Sequence, residues 1–160
     1  MAKKAKEEKT NVMRLLEQAK VEYKHYSYAN TDAISGVEVA EVLGQNVDKV
    51  FKTLVTVGKS GEHYVFVVPV AEELDLKKAA KAVGEKSVEM LHVKEITKVT
   101  GYVRGGCTAI GMKKQFPTVI DESACTQKLI YVSGGKIGMQ IRLKPDDLKK
   151  AANAEYAAIT

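Results

Sequence analysis

The segment 50–58, with the sequence VFKTLVTVG, constrains the fold of this chain more than any other stretch. Val, Thr and Phe dominate it, no proline interrupts it and Gly58 ends it, which predicts a strand inside a sheet. The two-residue period of a strand places Lys52 on one face with Val50 and Leu54. An ammonium group among aliphatic side chains loses solvation unless it reaches water or binds an anion. Lys52 is therefore the first candidate for a functional residue, and a strand with one solvated face is the alternative.

Helices and strands are intermixed along the rest of the chain, and many links between strands have hairpin length. Turn sequences at 59–62 (KSGE) and 133–136 (SGGK) separate apolar strands. A capping box at Ser35 and Glu38 predicts the start of one helix, and a closing helix is expected after Pro145. The pattern predicts an α/β (α+β) fold in which a mixed, largely antiparallel sheet curls toward a barrel, with peripheral helices.

The length of 160 residues is that of a single domain. We expect residues 1–10 to form a flexible tail and residues 11–160 to form one domain, since no stretch resembles an interdomain linker. No apolar run approaches the roughly 20 residues that cross a bilayer. The N-terminal residues have no apolar core of the kind found in secretory signals. A cytoplasmic protein without a membrane partner is the expectation.

The chain carries none of the common enzyme signatures. It has no nucleophile elbow, P-loop or dinucleotide fingerprint. Two cysteines and three scattered histidines make a structural metal unexpected, and no cofactor is predicted. Cys107 could act as a nucleophile only with a base nearby, and the spacing indicates none of the histidines as that base. We therefore regard Cys107 as a minor alternative.

The segment 103–111, VRGGCTAIG, is the one irregular stretch that is rich in glycine. Glycine permits positive φ and close approach of a ligand, so backbone N–H groups in this loop could point into a cleft. A tight loop between two strands is the alternative interpretation.

Two further sets of residues could contact RNA, and the net charge of +5 would assist binding to a polyanion. Tyr26 and Tyr28 share one face of a predicted strand, where stacking on a nucleobase competes with the commoner packing of tyrosines on a sheet. Lys77, Lys78 and Lys81 lie together on one side of a predicted helix. A solvated helix face is the usual explanation for such a cluster.

Three separated blocks of this sequence together resemble the YbaK/EbsC family of Cys-tRNA(Pro) deacylases, which belongs to the superfamily of editing domains associated with prolyl-tRNA synthetase. The blocks are 50–55 (VFKTLV), 101–114 (GYVRGGCTAIGMKK) and 130–136 (IYVSGGK). Their order and spacing match over nearly the whole chain. The resemblance implies the fold of the editing domain that is inserted in some prolyl-tRNA synthetases, a mixed barrel with peripheral helices.

The resemblance implies trans-editing, the hydrolysis of the ester between a mischarged cysteine and tRNA(Pro), with tRNA(Cys) as a second candidate carrier. In the mechanism usually proposed for the family, the cysteine thiol of the substrate attacks its own ester carbonyl, which expels the tRNA and leaves a small cyclic thioester. Prolyl-tRNA synthetase is implied as a partner. Two alternatives stay open: a deacylase of Ala-tRNA(Pro) or other small amino acids that uses water, and a non-catalytic module that binds tRNA or the synthetase.

The resemblance also implies which residues form the site. The essential lysine of the family falls on Lys52, beside Thr53, and a serine after the late strand falls on Ser133. An early tyrosine matches Tyr28, with Tyr26 as the competitor.

In our mechanistic hypothesis, the N–H groups of Gly105 and Gly106 hold the oxyanion and Lys52 holds the 3′-terminal adenosine or phosphate. The residues expected to bind the aminoacyl end are Tyr28, Thr53, Thr108, Ala109, Ile110, Gly111, Ser133 and Gln140. The residues expected to contact tRNA are Lys77, Lys78, Lys81, Lys113, Lys114 and Lys136.

The chain departs from the family pattern at two places. Many relatives have Ser-Pro where this chain has Thr108 and Ala109, which removes a rigid residue from the loop. Some relatives have Asp where Gln140 stands. Both differences concern the preferred amino acid more than the reaction class, because a pocket of this kind separates residues that differ by one methylene only about 10- to 200-fold.

Overall fold

The computed structural model describes residues 9–29, 31–33 and 35–160, so most of the predicted tail lies outside the described residues. The helices are α1 (Asn11–Gln18), α2 (Gly36–Val42), α3 (Leu76–Val83), α4 (Ile96–Thr100) and α5 (Pro145–Ala152). The strands are β1 (Lys24–Ser27), β2 (Phe51–Gly58), β3 (His63–Pro69), β4 (Val88–Met90), β5 (Thr118–Asp121), β6 (Ile130–Ser133), β7 (Met139–Leu143) and β8 (Ala154–Ala157). None of the described helices has the length and apolar character needed to span a membrane.

The described strands form two sheets. The larger sheet has the order β4-β2-β3-β5-β8, and the smaller has the order β1-β7-β6. The pairs β3–β5 and β5–β8 are parallel and the other pairs are antiparallel. The predicted mixed, largely antiparallel α/β fold is confirmed. A closed barrel is not found among the described strands. The two sheets pack against each other in the main core, and an isolated parallel bridge between Val50 and Tyr131 links them by hydrogen bonding.

Strand β2 lies between β4 and β3, and its two faces contribute to different apolar clusters. Phe51 packs in the main core together with Val67 of β3. On the other face Leu54 packs against a second cluster that contains Phe66. The predicted alternation is therefore confirmed, and Lys52 lies on the Leu54 face.

Local sequence accounts for the starts of several helices. The Thr10 hydroxyl accepts a hydrogen bond from the N–H of Met13, which begins α1. Ser35 and Glu38 form the predicted capping box at α2. The Asp75 carboxylate accepts from two N–H groups of the first turn of α3. These side chains satisfy donors that a helix leaves unpaired at its N-terminus, so the pattern predicts these boundaries well.

Strand β8 was not predicted from the sequence. Helix α5 begins at Pro145 as expected and ends at Asn153, which has the left-handed φ of 52°. The four residues that follow, AEYA, then add a strand parallel to β5. Ala and Glu favour helix over strand, so the pairing with β5 decides the conformation here against local propensity.

A buried carboxylate connects this last segment to β5. Asp121 is 3% exposed. Its oxygens accept hydrogen bonds from the N–H (3.3 Å) and the hydroxyl (2.6 Å) of Ser123, from the N–H of Ile159 (3.1 Å) and from the hydroxyl of Thr160 (3.3 Å). Four hydrogen bonds compensate for the loss of water around the charge.

We predict that Asp121→Ala lowers the free energy of unfolding by about 3 kcal/mol, because it leaves buried donors without an acceptor. Asp32→Ala, at an exposed position, is the matched control and should change it by less than about 0.5 kcal/mol. Urea denaturation followed by circular dichroism measures both. Equal losses for the two variants would show that the Asp121 contacts do not hold the C-terminal segment.

Candidate functional site

Several predicted site residues meet at the seam where β2 joins β6. An isolated parallel bridge pairs Val50, just before β2, with Tyr131 of β6, and Lys52 and Ser133 each lie two residues further along on the same faces. Ser133 lies directly opposite Gln140 of β7, and Gln140 lies opposite Tyr26 of β1. Because directly paired residues share a sheet face, these side chains lie on one face of the small sheet. We call this region the seam site and define it by Lys52, Ser133, Gln140 and Tyr26.

Lys52 is half-buried between two apolar groups on this face. One group contains Val50 and Val70, and the other contains Phe66. The Lys52 ammonium makes no hydrogen bond and no ion pair with any residue that the structure describes. A cation in this position is available to an anionic ligand. Thr53, as the strand period requires, faces the opposite side, toward the main core.

Ser133 connects the glycine-rich loop to the seam site. Its hydroxyl donates to the carbonyl oxygen of Gly106 (3.0 Å) and accepts from the N–H of Gly135 (3.2 Å). A Cβ on Gly106 would lie 2.8 Å from the Cα of Lys136 and 3.0 Å from the backbone nitrogen of Ile137. Only glycine allows the loop to approach the β6–β7 turn this closely.

The two glycines assigned to the oxyanion differ in whether their N–H groups are already hydrogen-bonded. The Gly106 N–H donates to the carbonyl oxygen of Val103 (3.0 Å), so it is occupied in this conformation of the loop. Gly105 has a φ of 90°, and its N–H and that of Cys107 have no acceptor among the described residues. The loop therefore presents N–H donors, although not the pair that sequence reasoning selected.

The second half of the loop is anchored in the main core. Thr108, Ala109 and Ile110 are 0%, 4% and 1% exposed. The carbonyl oxygen of Ile110 accepts a hydrogen bond from the Tyr102 hydroxyl at 2.6 Å. The side chains of Ala109 and Ile110 form part of the core, so a substrate could meet these two residues only through their backbone. Gly111 ends the segment with a φ of 73° and is exposed.

Both candidate tyrosines stay on the seam side of the small sheet. The N–H of Tyr28 donates to the carbonyl oxygen of Gly138 at 2.8 Å, which extends the β1–β7 ladder by one pair. In that register Tyr28 faces the same side as Tyr26. The Tyr26 ring packs edge-to-face on Tyr131, with ring centroids 5.7 Å apart. The fold therefore does not decide whether Tyr28 or Tyr26 is the tyrosine of the site.

Gln45 is a residue at the seam site that sequence reasoning missed. Its Nε2 donates to Oε1 of Gln140 at 2.6 Å, and Nε2 of Gln140 donates to Oε1 of Gln45 at 2.9 Å. Gln140 is only 3% exposed. The two residues are 95 positions apart, so no local pattern indicates their contact.

The six lysines predicted to contact tRNA are all exposed. Lys77 and Lys81 line a groove of about 370 Å³ between α3 and β4, and Lys86 lines the same groove. Lys78 donates to the carbonyl oxygen of Thr160 at 2.7 Å. Lys136 belongs to the β6–β7 turn against which Gly106 packs. The remaining two are Lys113 and Lys114.

Cys107 is the cysteine that lies in the glycine-rich loop, directly after Gly106. Burial raises the pKa of the Cys107 thiol to about 11, and a hydrogen bond with the Thr100 side chain opposes this to a smaller extent. The thiol is therefore protonated near neutral pH. No group of three potential metal ligands occurs in the described part of the chain.

Comparisons with known proteins agree with the fold. The model of the aminoacyl-tRNA editing domain matches residues 31–151. A protein of Enterococcus faecalis (strain ATCC 700802 / V583), described as "Putative Cys-tRNA(Pro)/Cys-tRNA(Cys) deacylase EbsC", is 53% identical over 161 residues, which cover 100% of this chain and 98% of that protein.

Two solved structures are similar over almost their full length. One, described as "a putative trans-editing enzyme for prolyl tRNA synthetase", has a TM-score of 0.79 at 26% identity and covers 94% of this chain and 98% of its own. The other is a hypothetical protein with a TM-score of 0.84 at 22% identity, covering 92% of this chain and 97% of its own. At that identity the second structure supports the fold alone.

We predict that Cys107 resists alkylation in the folded protein. A rise in pKa from 9.0 to about 11 lowers the thiolate fraction about 100-fold at pH 7.5. Exposed Cys125 is the internal control. Mass spectrometry after iodoacetamide treatment should show label on Cys125 well before Cys107, and on both at similar rates in urea. Equal rates in the folded protein would contradict a buried, inert thiol.

Proposed function

This chain belongs to the family of aminoacyl-tRNA editing domains, and we propose that it is a trans-editing deacylase that removes cysteine from mischarged tRNA(Pro), with tRNA(Cys) as a second carrier. The observation that carries the proposal is the 53% identity with the Enterococcus faecalis protein over the whole chain. The half-buried, unpaired Lys52 at the seam site supports it independently, since an ester-linked RNA end brings phosphate oxygens.

Lys52 binds the 3′-terminal nucleotide in this proposal. A phosphate oxygen near its ammonium would replace the water that the apolar neighbours exclude, and charge-assisted hydrogen bonds of this kind are about twice as strong as neutral ones. Ser133, which like Lys52 lies two residues beyond the bridge between the sheets, keeps the glycine-rich loop in place through Gly106. Binding of the RNA end and placement of the loop are therefore coupled at one seam.

The glycine-rich loop stabilises the oxyanion that forms when the ester carbonyl is attacked. We assign this contact to the N–H groups of Gly105 and Cys107, which have no acceptor among the described residues. Gly106 contributes its carbonyl oxygen, which fixes Ser133, and the close approach that its missing side chain permits. Donors of this kind are worth about 100-fold or more in rate.

The nucleophile in the proposed reaction is the thiol of the substrate. Its sulfur attacks the ester carbonyl carbon, the bond from that carbon to the ribose oxygen breaks, and the ribose oxygen takes up the proton that the thiol loses. The products are free tRNA and a cyclic thioester. An intramolecular attack depends on orientation, which can supply about 7 to 11 kcal/mol of the barrier. The half-buried Cys107, whose pKa is raised to about 11, supports a substrate thiol over a protein thiol.

Recognition of the tRNA body is assigned to exposed lysines. Lys77, Lys81 and Lys86 share one groove with the carboxylate of Glu85, and the excess of positive charge would favour a phosphate backbone. Lys136 lies at the turn next to Gly106 and would meet phosphates close to the aminoacyl end. Choice of the correct tRNA is proposed to depend on prolyl-tRNA synthetase as a partner, since these lysines offer no base-specific contacts.

We predict that the purified protein removes cysteine from tRNA(Pro) at least about 100-fold faster than serine or alanine from the same tRNA. Serine has the same shape but a weaker nucleophile, and alanine has none. Ester loss measured with radiolabelled amino acids, together with mass spectrometry of the released cyclic thioester, tests this. Equal loss of alanine would favour the water-using deacylase, and binding of tRNA without turnover would favour the non-catalytic module.

We predict that Lys52→Met lowers kcat/KM for Cys-tRNA(Pro) by about 100-fold or more while the free energy of unfolding stays equal or rises, because Met keeps the length of the side chain and removes only the charge. Lys59→Met, at the exposed end of the same strand pair, is the matched control. The proposal is wrong if Lys52→Met deacylates at the wild-type rate.

A further inference from the structure

We propose that Gln45 is a positioning residue of the aminoacyl pocket, acting through its reciprocal amide pair with Gln140. The inference rests on the function proposed above and adds a residue to it. Within the part of the chain that the structure describes, the Gln45 side chain makes hydrogen bonds to Gln140 and to no other predicted site residue.

The backbone of Gln45 is fixed by the end of α2. Its N–H donates to the carbonyl oxygen of Ala40 at 2.8 Å, and Gly44 before it adopts a φ of 68°. Asn46 after it caps the next turn by accepting from the N–H of Asp48. The Gln45 amide therefore extends from a defined point toward the small sheet.

Gln140 occupies the centre of the face on which the other seam residues lie. Strand β7 is the middle strand of the small sheet, so Gln140 has Tyr26 on one side and Ser133 on the other. Ser133 in turn holds Gly106 of the loop. Gln140 thus lies between a candidate binding tyrosine and the serine that holds the loop.

The pair fixes the position and the plane of the Gln140 amide. The terminal torsion of a glutamine is broad and nearly two-fold, so an isolated amide could exchange its oxygen and nitrogen. Two reciprocal hydrogen bonds to Gln45 hold both amides in one plane, and the two groups can exchange oxygen and nitrogen only together. Each amide keeps one N–H and one oxygen lone pair, so Gln140 can still offer one hydrogen bond from a fixed position to an aminoacyl ester. Because the pair is neutral, it adds no charge to the pocket.

Loss of Gln45 should not unfold the protein, because α2 has a second attachment. Ala40 of α2 packs with Val50 and Val70, with Tyr131 beside them, on the outer face of β2 and β6. This apolar contact holds the helix when the amide pair is absent, so an effect on activity can be separated from an effect on folding.

The first test is Gln45→Met, which keeps the side-chain length and removes both hydrogen bonds. We expect kcat/KM for Cys-tRNA(Pro) to fall about 10-fold and the preference for cysteine over serine esters to shrink, while the free energy of unfolding changes little. Gln18→Met, at an exposed position of α1, is the control and should change neither. Wild-type kinetics in Gln45→Met would overturn the inference and leave the proposed deacylase intact.

The second test is Gln45→Glu. If the role of Gln45 were purely structural, Gln45→Glu and Gln45→Met would have the same effect on activity. The protonated carboxyl group can both donate to Oε1 and accept from Nε2 of Gln140, whereas the carboxylate can only accept. Desolvation at this contact should raise the carboxyl pKa above its usual value of about 4.3. Activity relative to wild type should therefore be nearly normal at low pH and fall as the pH rises through that pKa. A ratio of variant to wild-type activity that stays constant between about pH 5 and 8, as expected for Gln18→Glu, would overturn the inference.

Absence of deacylation in the wild-type protein would instead reject the proposed function, and the inference with it.

Discussion

The junction between β2 and β6 is the contact on which the site depends. The bridge between Val50 and Tyr131 joins two sheets that otherwise have separate hydrogen-bonding ladders. It places the face of β2 that bears Lys52 next to the face of the small sheet that bears Ser133. A cation, a hydroxyl, an amide pair and a loop with N–H donors thus come together from parts of the chain that are distant in sequence.

The glycine-rich loop shows how this site can be ordered without regular secondary structure. One half is fixed by apolar side chains in the main core, as for Ile110, which is 1% exposed. The other half is fixed by the hydrogen bond from Ser133 to Gly106 and by the close contact with the β6–β7 turn. A loop held at both ends keeps its N–H groups in fixed directions, which is the condition for stabilising a developing charge.

Local chemistry predicted much of this structure, and tertiary contacts account for the rest. The strand at β2, the capping box at Ser35 and the closing helix follow from patterns within a few residues. Strand β8 does not, because its pairing with β5 outweighs a helical composition. The amide partner of Gln140 was equally out of reach, since it lies 95 positions away and depends on how separate segments pack. Family resemblance supplied the residue roles, and composition and spacing alone left them open.

The position of Lys52 also bears on how this protein can change over generations. A half-buried ammonium with apolar neighbours and no partner among the described residues stands where an aliphatic side chain would give a more stable fold. Random substitution would therefore tend to replace it, and only purifying selection for activity can retain it. A copy of the gene released from that selection should lose this lysine early, and would yield a more stable protein without deacylase activity.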